Sequence, residues 1–233
     1  LCCAPPFLLG AFLPLFFFLI SVKQTMLAFA TFQALSYTVG VCGAQGRLGR
    51  EIVKQSLDRG WNVNAVVRRV DDPIFSPDRA GWLTQQEGES TMPLFSHRLK
   101  MIDSETDHSW VSDCDAIVFA MSGKPFAPDS NTTELVRSVC ASAESDQRLC
   151  LVSAHGVGDS IENSNVGIRA MRAFYLKATY EAKQRQEELM DASVATTLVL
   201  RPKVLSFSNI PLNTDATPRF RLATVILDWM APV

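Results

Sequence analysis

The segment Gly43-Ala44-Gln45-Gly46-Arg47-Leu48-Gly49 limits the fold more than any other, because of what stands on either side of it. It follows the short apolar run Tyr37–Cys42 (YTVGVC) and opens Arg47–Arg59 (RLGREIVKQSLDR). In that second stretch Leu48, Ile52, Val53 and Leu57 share one helical face, and Gly60 marks the stop. Val63–Val67 (VNAVV) then reads as another strand. A strand that turns through glycines into a helix and returns to a strand is the building unit of doubly wound α/β sheets. Its turn leaves bare N–H groups at a helix N-terminus, where a pyrophosphate can approach. Gly43 makes the turn, Gly46 admits the close approach, and Gly49 lets the helix pack on the strand. Three glycines alone are a weak sign; the flanking strand, helix and strand supply the confirming context.

Beyond residue 70 strands and helices continue to alternate, as expected for a parallel sheet covered on both faces. Residues 70–98, broken by Pro73, Pro77 and Pro93, read as irregular, and lead to a weak third strand at Leu99–Ile102. Ala116–Met121 (AIVFAM) is a fourth strand, and Asn131–Ala143 a helix with Asp129 or Ser130 as N-cap. Leu149–Ser153 (LCLVS) is a fifth strand, Ile168–Ala192 a long amphipathic helix, and Thr196–Leu200 (TTLVL) a sixth strand closed by Arg201-Pro202. The fold class is therefore a Rossmann-like, three-layer α/β/α domain over residues 36–233, preceded by an apolar N-terminal extension over residues 1–30.

That extension carries no charge from Leu1 to Val22, and Phe7–Ile20 is almost wholly apolar. Three alternatives stand open. It is a targeting segment, with Ala28-Phe29-Ala30 as a cleavage site; or a membrane anchor, its length near the roughly 20 residues needed to span a bilayer; or no part of the native chain, with translation from Met26. A start at Met26 implies the cytoplasm. Native residues 1–25 imply an organelle (plastid or mitochondrion) or a membrane. Net charge is -2, with Lys+Arg 22 against Asp+Glu 24, so binding to nucleic acid through phosphate neutralisation has no support. The six cysteines form no CxxC, and no histidine stands at ligand spacing, so neither a disulfide framework nor a metal site is expected. Cys42, Cys114 and Cys150 are expected to pack as small hydrophobes.

The candidate site follows the carboxyl edge of the sheet, where open α/β folds bind ligands. Gly43, Gln45, Gly46, Arg47, Leu48 and Gly49 are the cofactor loop. Arg68 and Arg69 end the second strand, where an NAD site usually carries an acidic residue for the ribose hydroxyl; guanidinium groups suit a 2′-phosphate instead. The expectation is NADP(H) over NAD(H). Ala120, Met121, Ser122 and Gly123 leave the fourth strand as small residues with room for ribose and nicotinamide, and Asp103 stands beside the adenine position. Ser153 and His155 leave the fifth strand, the first to orient an acceptor carbonyl or touch the cofactor, the second to donate a proton. Tyr180 and Lys183 are three residues apart, so the four-residue phenol–ammonium spacing of conventional reductases is not met. Both remain candidate catalytic residues, with Lys183 also directed at the cofactor ribose and Glu187 within its i+4 reach.

Taken in order, these segments resemble the atypical short-chain dehydrogenase/reductase group, in its NmrA-like and biliverdin-IXβ/flavin-reductase-like branch. The carrying pieces are Val41–Gly49, Val66-Val67-Arg68, Cys114–Val118, Leu151–Ser160, Tyr180–Glu187 and Val199-Leu200-Arg201-Pro202. The resemblance spans about residues 37–205. It implies a Rossmann-like fold that binds NAD(P)H, with a small-molecule acceptor at the carboxyl edge. The implied activity is hydride transfer to a flavin, quinone or carbonyl compound; the alternative is a non-catalytic NADP(H)-binding sensor, regulator or assembly factor. Members of the branch usually continue past the sixth strand with a strand and helix that help close the pocket. From the sequence, the tail after Pro202 is expected to be truncated or to leave the pocket open. The oligomeric state is not legible.

Overall fold

Valine and isoleucine runs without polar alternation suit strands that are buried on both faces. The computed structural model bears this out, and describes residues 37–67, 97–104, 108–121, 130–162, 176–206 and 216–232. Strands β1 (Thr38–Cys42), β2 (Asn62–Val67), β3 (Leu99–Asp103), β4 (Ala116–Phe119), β5 (Arg148–Val152) and β6 (Thr196–Leu200) form one sheet. Their order is β3-β2-β1-β4-β5-β6, and every neighbouring pair is parallel. The chain order therefore reverses between β1 and β4, which puts the topological switch point, and the ligand crevice of such sheets, beside the glycine turn.

Two helical layers cover the sheet. Helix α1 (Arg47–Asp58) and the last helix, which runs over Arg219–Met230, lie on one face. There Leu48, Ile52, Val53 and Leu57 meet Val39, Val41, Ala65, Val118, Cys150 and Val152 in one apolar cluster. Helix α2 (Ser130–Ser142) and helix α3 (Lys177–Asp191) lie on the other. There Leu135, Val136, Val139 and Met190 pack with Cys42, Val66, Ile117, Phe119, Leu149 and Leu151. Successive residues of β4 and β5 alternate between the two clusters, as the strand period of two requires. Helix α1 stops where glycine allows it: Gly60 has φ +81° and its N–H donates to the Leu57 carbonyl at 2.9 Å.

The chain after Pro202 adds further elements. It forms a second, two-stranded parallel sheet from β7 (Val204–Ser206) and β8 (Ala216–Pro218), followed by helix α4 (Arg219–Met230). Strands β7 and β8 and helix α4 thus follow the sixth strand, and α4 covers the sheet beside α1. Leu222, Ala223, Ile226, Leu227 and Met230 recur at helical spacing and are all buried. Polar ties fix the docking: Gln55 Nε2 donates to the Phe220 carbonyl at 3.1 Å, Thr224 Oγ1 to Gln55 Oε1 at 3.0 Å, and the Tyr37 hydroxyl to the Met230 carbonyl. Arg148 Nη1 donates to the Trp229 and Ala231 carbonyls at 2.8 and 2.6 Å, which satisfies acceptors at the end of α4. Elsewhere the differences are small. Strand β4 ends at Phe119 rather than Met121; the part of the expected 168–192 helix before residue 176 lies outside the described residues, as does Asp129. Among the described residues no helix is long and apolar enough to cross a membrane.

Cys42, Cys114 and Cys150 are buried and free; Cys42 and Cys150 pack as small hydrophobes, whereas the Cys114 Sγ accepts from Asn64 Nδ2 at 3.3 Å and its S–H donates to the Trp110 carbonyl at 3.4 Å. Burial pushes the Cys114 and Cys150 thiols from 9.0 up to about 12, and holds Cys42 well above its ordinary value. Burial, helped by the Asp115 carboxylate, raises Tyr37 from 10.0 to about 12. All these folded-state values are raised. The stability held by the neutral groups is therefore complete below the unfolded values and is lost as the pH climbs through them toward the folded ones. The urea midpoint should fall as the pH rises from about 9 toward about 12. In native protein the three thiols should resist alkylation that goes to completion in urea; rapid native alkylation would contradict their burial.

Candidate functional site

The glycine turn is built so tightly that side chains are excluded from it. Gly43 has φ +85°, a left-handed conformation, and a Cβ there would lie 2.9 Å from the Ala120 carbonyl oxygen. A Cβ on Gly49 would lie only 2.1 Å from the Gly43 carbonyl oxygen, so α1 rests directly on the turn. Gly46 is the N-cap of α1 and offers no side-chain cap. The first intrahelical bond at this end runs from the Arg50 N–H to the Gly46 carbonyl at 2.8 Å. An α-helix leaves its first N–H groups without intrahelical acceptors, and at this end the N-cap Gly46 supplies no side-chain cap. Gln45 has a buried Nε2 with no hydrogen-bond partner among the described residues. An uncapped helix start and an orphaned donor in one loop fit a phosphate-bearing ligand.

The neighbouring strands complete the edge. Asp103 ends β3 in register with Val67, the last residue of β2, which places it at the same edge. Ala120 continues β4, its N–H donating to the Cys42 carbonyl at 2.9 Å, and Met121 follows beside Gly43. Arg68, Arg69, Ser122 and Gly123 lie outside the described residues. Ser153, the residue after β5, is 7% exposed, and its Oγ has no hydrogen-bond partner among the described residues. Its N–H donates to the Leu200 carbonyl at 2.8 Å, which holds it at the sheet edge. His155 follows in the turn, its N–H donating to the Pro202 carbonyl at 3.2 Å.

Helix α3 brings two further candidates to this edge, and both hold main-chain groups. Lys183 is buried, and its Nζ donates to the Met121 carbonyl at 2.8 Å and the Val152 carbonyl at 3.0 Å. It thereby joins the carboxyl ends of β4 and β5. The Tyr180 hydroxyl donates to the His155 carbonyl at 3.1 Å. Glu187, which the local spacing directs at Lys183, is gripped by Arg201: Nε and Nη2 reach its two oxygens at 2.8–3.3 Å. Glu187 holds Arg201 above the ordinary guanidinium value. The i+4 expectation gives way because a bidentate guanidinium–carboxylate pair is geometrically better than a single ammonium contact.

Two contributors were missed from the sequence. Arg201 was seen only as the end of a strand. Arg219, at the start of α4, is held below its ordinary value by burial and then by the positive charge of Arg47. The signal for Arg219 was its place just before an apolar helical period; nothing local signals Arg201. A separate cleft, lined by Tyr37, Asp113, Asp115, Asp146 and Arg148, lies at the opposite, amino edge of the sheet and shares nothing with these residues.

Residues 43–218 match the family model described as NAD(P)H-binding. No curated protein matches the sequence. Among solved structures, the anaerobillin reductase ChuY from Escherichia coli O157:H7 is 22% identical, with a TM-score of 0.56 over 82% of this chain and 89% of that one. The PhqB reductase domain from Penicillium fellutanum is 14% identical, with a TM-score of 0.59 over 85% and 65%. The terminal R domain of the myxalamid biosynthetic pathway is 13% identical, with a TM-score of 0.61 over 85% and 63%. At these identities the likeness is one of fold.

The two inner glycines should respond differently to alanine. Gly49→Ala forces backbone apart and should cost roughly 1–3 kcal/mol, the usual penalty of overpacking, read as a lower thermal midpoint. A Cβ on Gly46 would sit 3.1 Å from the Gly43 carbonyl oxygen, so Gly46→Ala should cost less stability yet still weaken dinucleotide binding in a titration. Equal stability losses would contradict the packing described.

Proposed function

The chain belongs to the NAD(P)H-binding family, and from that premise we propose that it is an NADPH-dependent reductase acting on a flat, conjugated acceptor such as a flavin, quinone or carbonyl compound. The observation that carries this reading is Ser153: a buried hydroxyl without a partner among the described residues, at the edge where such sheets bind their ligands. Buried polar groups are nearly always hydrogen-bonded, so an orphaned one at a ligand edge is best explained by a ligand.

The glycine loop would hold the pyrophosphate against the N–H groups at the start of α1, with Gln45 Nε2 as a further donor and the charge of Arg47 nearby. Arg68 and Arg69 would grip the 2′-phosphate, Asp103 would face the adenine side, and Ala120, Met121, Ser122 and Gly123 would border the nicotinamide. Bound there, the reduced dinucleotide supplies a hydride. The protein's share is to bind and orient, which accounts for much of the rate in reactions of this type. Ser153 Oγ would donate to the acceptor oxygen, and His155 or solvent would supply the proton that the reduced acceptor takes up. Lys183 would keep the Met121 and Val152 carbonyls fixed beneath the nicotinamide and remains the candidate for its ribose. Tyr180, whose hydroxyl serves the His155 carbonyl, is the weakest of the catalytic candidates.

The engagement of both Tyr180 and Lys183 with backbone carbonyls favours a second reading, in which the protein binds NADP(H) without turnover and reports redox state to a partner. A partner whose capture changes with the ratio of oxidised to reduced cofactor, in a protein that reduces nothing, would establish it.

NADPH oxidation followed across flavin, quinone and aldehyde panels tests the main reading, which fails if no acceptor accelerates it while the cofactor binds. Ser153→Ala should lower kcat by roughly 10- to 100-fold, the scale of one hydrogen bond to a charged or developing-charge group, and leave NADPH affinity nearly intact. Arg68→Asp should weaken NADPH binding far more than NADH binding; equal losses would mean that Arg68 does not read the phosphate.

A further inference from the structure

The segment Leu200-Arg201-Pro202 at the exit of β6 has no part in the function proposed above, yet Arg201 joins three elements. Its Nε and Nη2 hold both oxygens of Glu187 on α3, a carboxylate only 5% exposed as a residue. Its Nη1 holds Asp159 Oδ1 at 2.5 Å, and Asp159 belongs to the loop that leaves β5. A buried carboxylate paired through two N–H···O contacts is a firm anchor, because Glu187 cannot regain water without breaking the pair.

That loop, Ser153 to Glu162, is the one that presents Ser153 and His155. It lies closely on the ion cluster: Gly158 has φ +56°, and a Cβ there would meet Arg201 Nη2 at 3.0 Å and Glu187 Oε2 at 3.3 Å. Within the loop, the Gly156 N–H donates to Ser160 Oγ at 2.9 Å and Ser160 Oγ to the Val157 carbonyl at 2.6 Å. Its base is tied by the His155 N–H to the Pro202 carbonyl, and its crest by Asp159 to Arg201.

We propose that Arg201 is a positioning residue for the acceptor side of the site: anchored on Glu187, it holds the Ser153–Glu162 loop through Asp159 and so fixes where Ser153 Oγ and His155 stand. This rests on the reading of the Ser153 edge as the acceptor's. The guanidinium touches neither acceptor nor cofactor; it acts through the loop.

Asp159→Asn separates this role from a general structural one, since the Asp159 side chain is 86% exposed and the Arg201–Glu187 pair stays in place. The test uses the full chain, with Asp159→Asn, Asp159→Glu and Arg201→Lys compared by hydrogen exchange, NADPH titration and steady-state kinetics. Asp159→Asn should speed exchange across residues 154–160 alone. It should lower kcat/KM for the acceptor roughly two- to fivefold, the scale of an ion pair with one exposed partner, with NADPH affinity within about 1.5-fold. Asp159→Glu should recover part of the loss, and Arg201→Lys should show the larger effect. Unchanged exchange overturns the tie; faster exchange with unchanged acceptor kinetics overturns the positioning role, as does an equal loss of NADPH affinity. If the unaltered protein reduces no acceptor, it is the reductase reading that falls, and the acceptor half of the proposal with it. The exchange result then decides the loop tie by itself.

Discussion

Gly49 and the Gly43 carbonyl oxygen approach so closely that a single added carbon would stand 2.1 Å from that oxygen. The obstacle would be main chain, which cannot step aside by changing rotamer as a side chain can. Because α1 rests on the turn at this point, Leu48, Ile52, Val53 and Leu57 are brought down onto Val39 and Val41, and the uncapped start of the helix faces the gap between β1 and β4. The position of α1 in turn offers Gln55 to α4. One backbone contact thus sets a helix axis, a packed layer and the direction of a row of amide dipoles together.

The carboxyl edge has to resolve a problem common to parallel sheets. Where strands end, carbonyl groups lose the neighbours that the ladder would have supplied, and burying them unpaired is costly. Here helix α3 answers with side chains: Lys183 serves Met121 and Val152, and Tyr180 serves His155. Among the described residues Ser153 Oγ and Gln45 Nε2 have no partner and follow β5 and β1 at this edge, while Thr179 Oγ1 and Gln186 Oε1 on α3 are likewise unpartnered. His108 Nδ1 and Trp110 Nε1 share their condition on the short helical turn before β4, away from the edge.

Much of this was legible in the sequence, and the reasons are local. The glycine loop, its preceding strand and its amphipathic helix lie within some twenty consecutive residues and each obeys its own periodicity, so this unit could be read directly, as could the other strands from their apolar runs. The partners of Lys183 could not, because they are carbonyls of residues 62 and 31 positions away and any residue type would provide them. Glu187 misled for the opposite reason: a helical neighbour suggested one cation, while the fold supplied another from 14 residues on. Helix α4 was missed, although its buried positions Leu222, Ala223, Ile226, Leu227 and Met230 recur at helical spacing. Arg68 and Arg69 remain a statement about sequence, since the described chain stops at Val67.

Helix α4 also bears on how the protein is made. The Gln55–Phe220 bond joins positions 165 residues apart, and the apolar face that α1 and β1 present is finished by residues synthesised long after them. Contacts so distant along the chain close a large loop, and loops of that kind form slowly. On the ribosome, the glycine turn and its strands emerge well before the helix that will shield them, and during that interval Val39, Val41 and Ile52 have only part of their cover. The nucleotide-binding half of the sheet is therefore the first to be translated and among the last to be completed, a span in which a chaperone, or the dinucleotide itself, has exposed apolar surface to act upon.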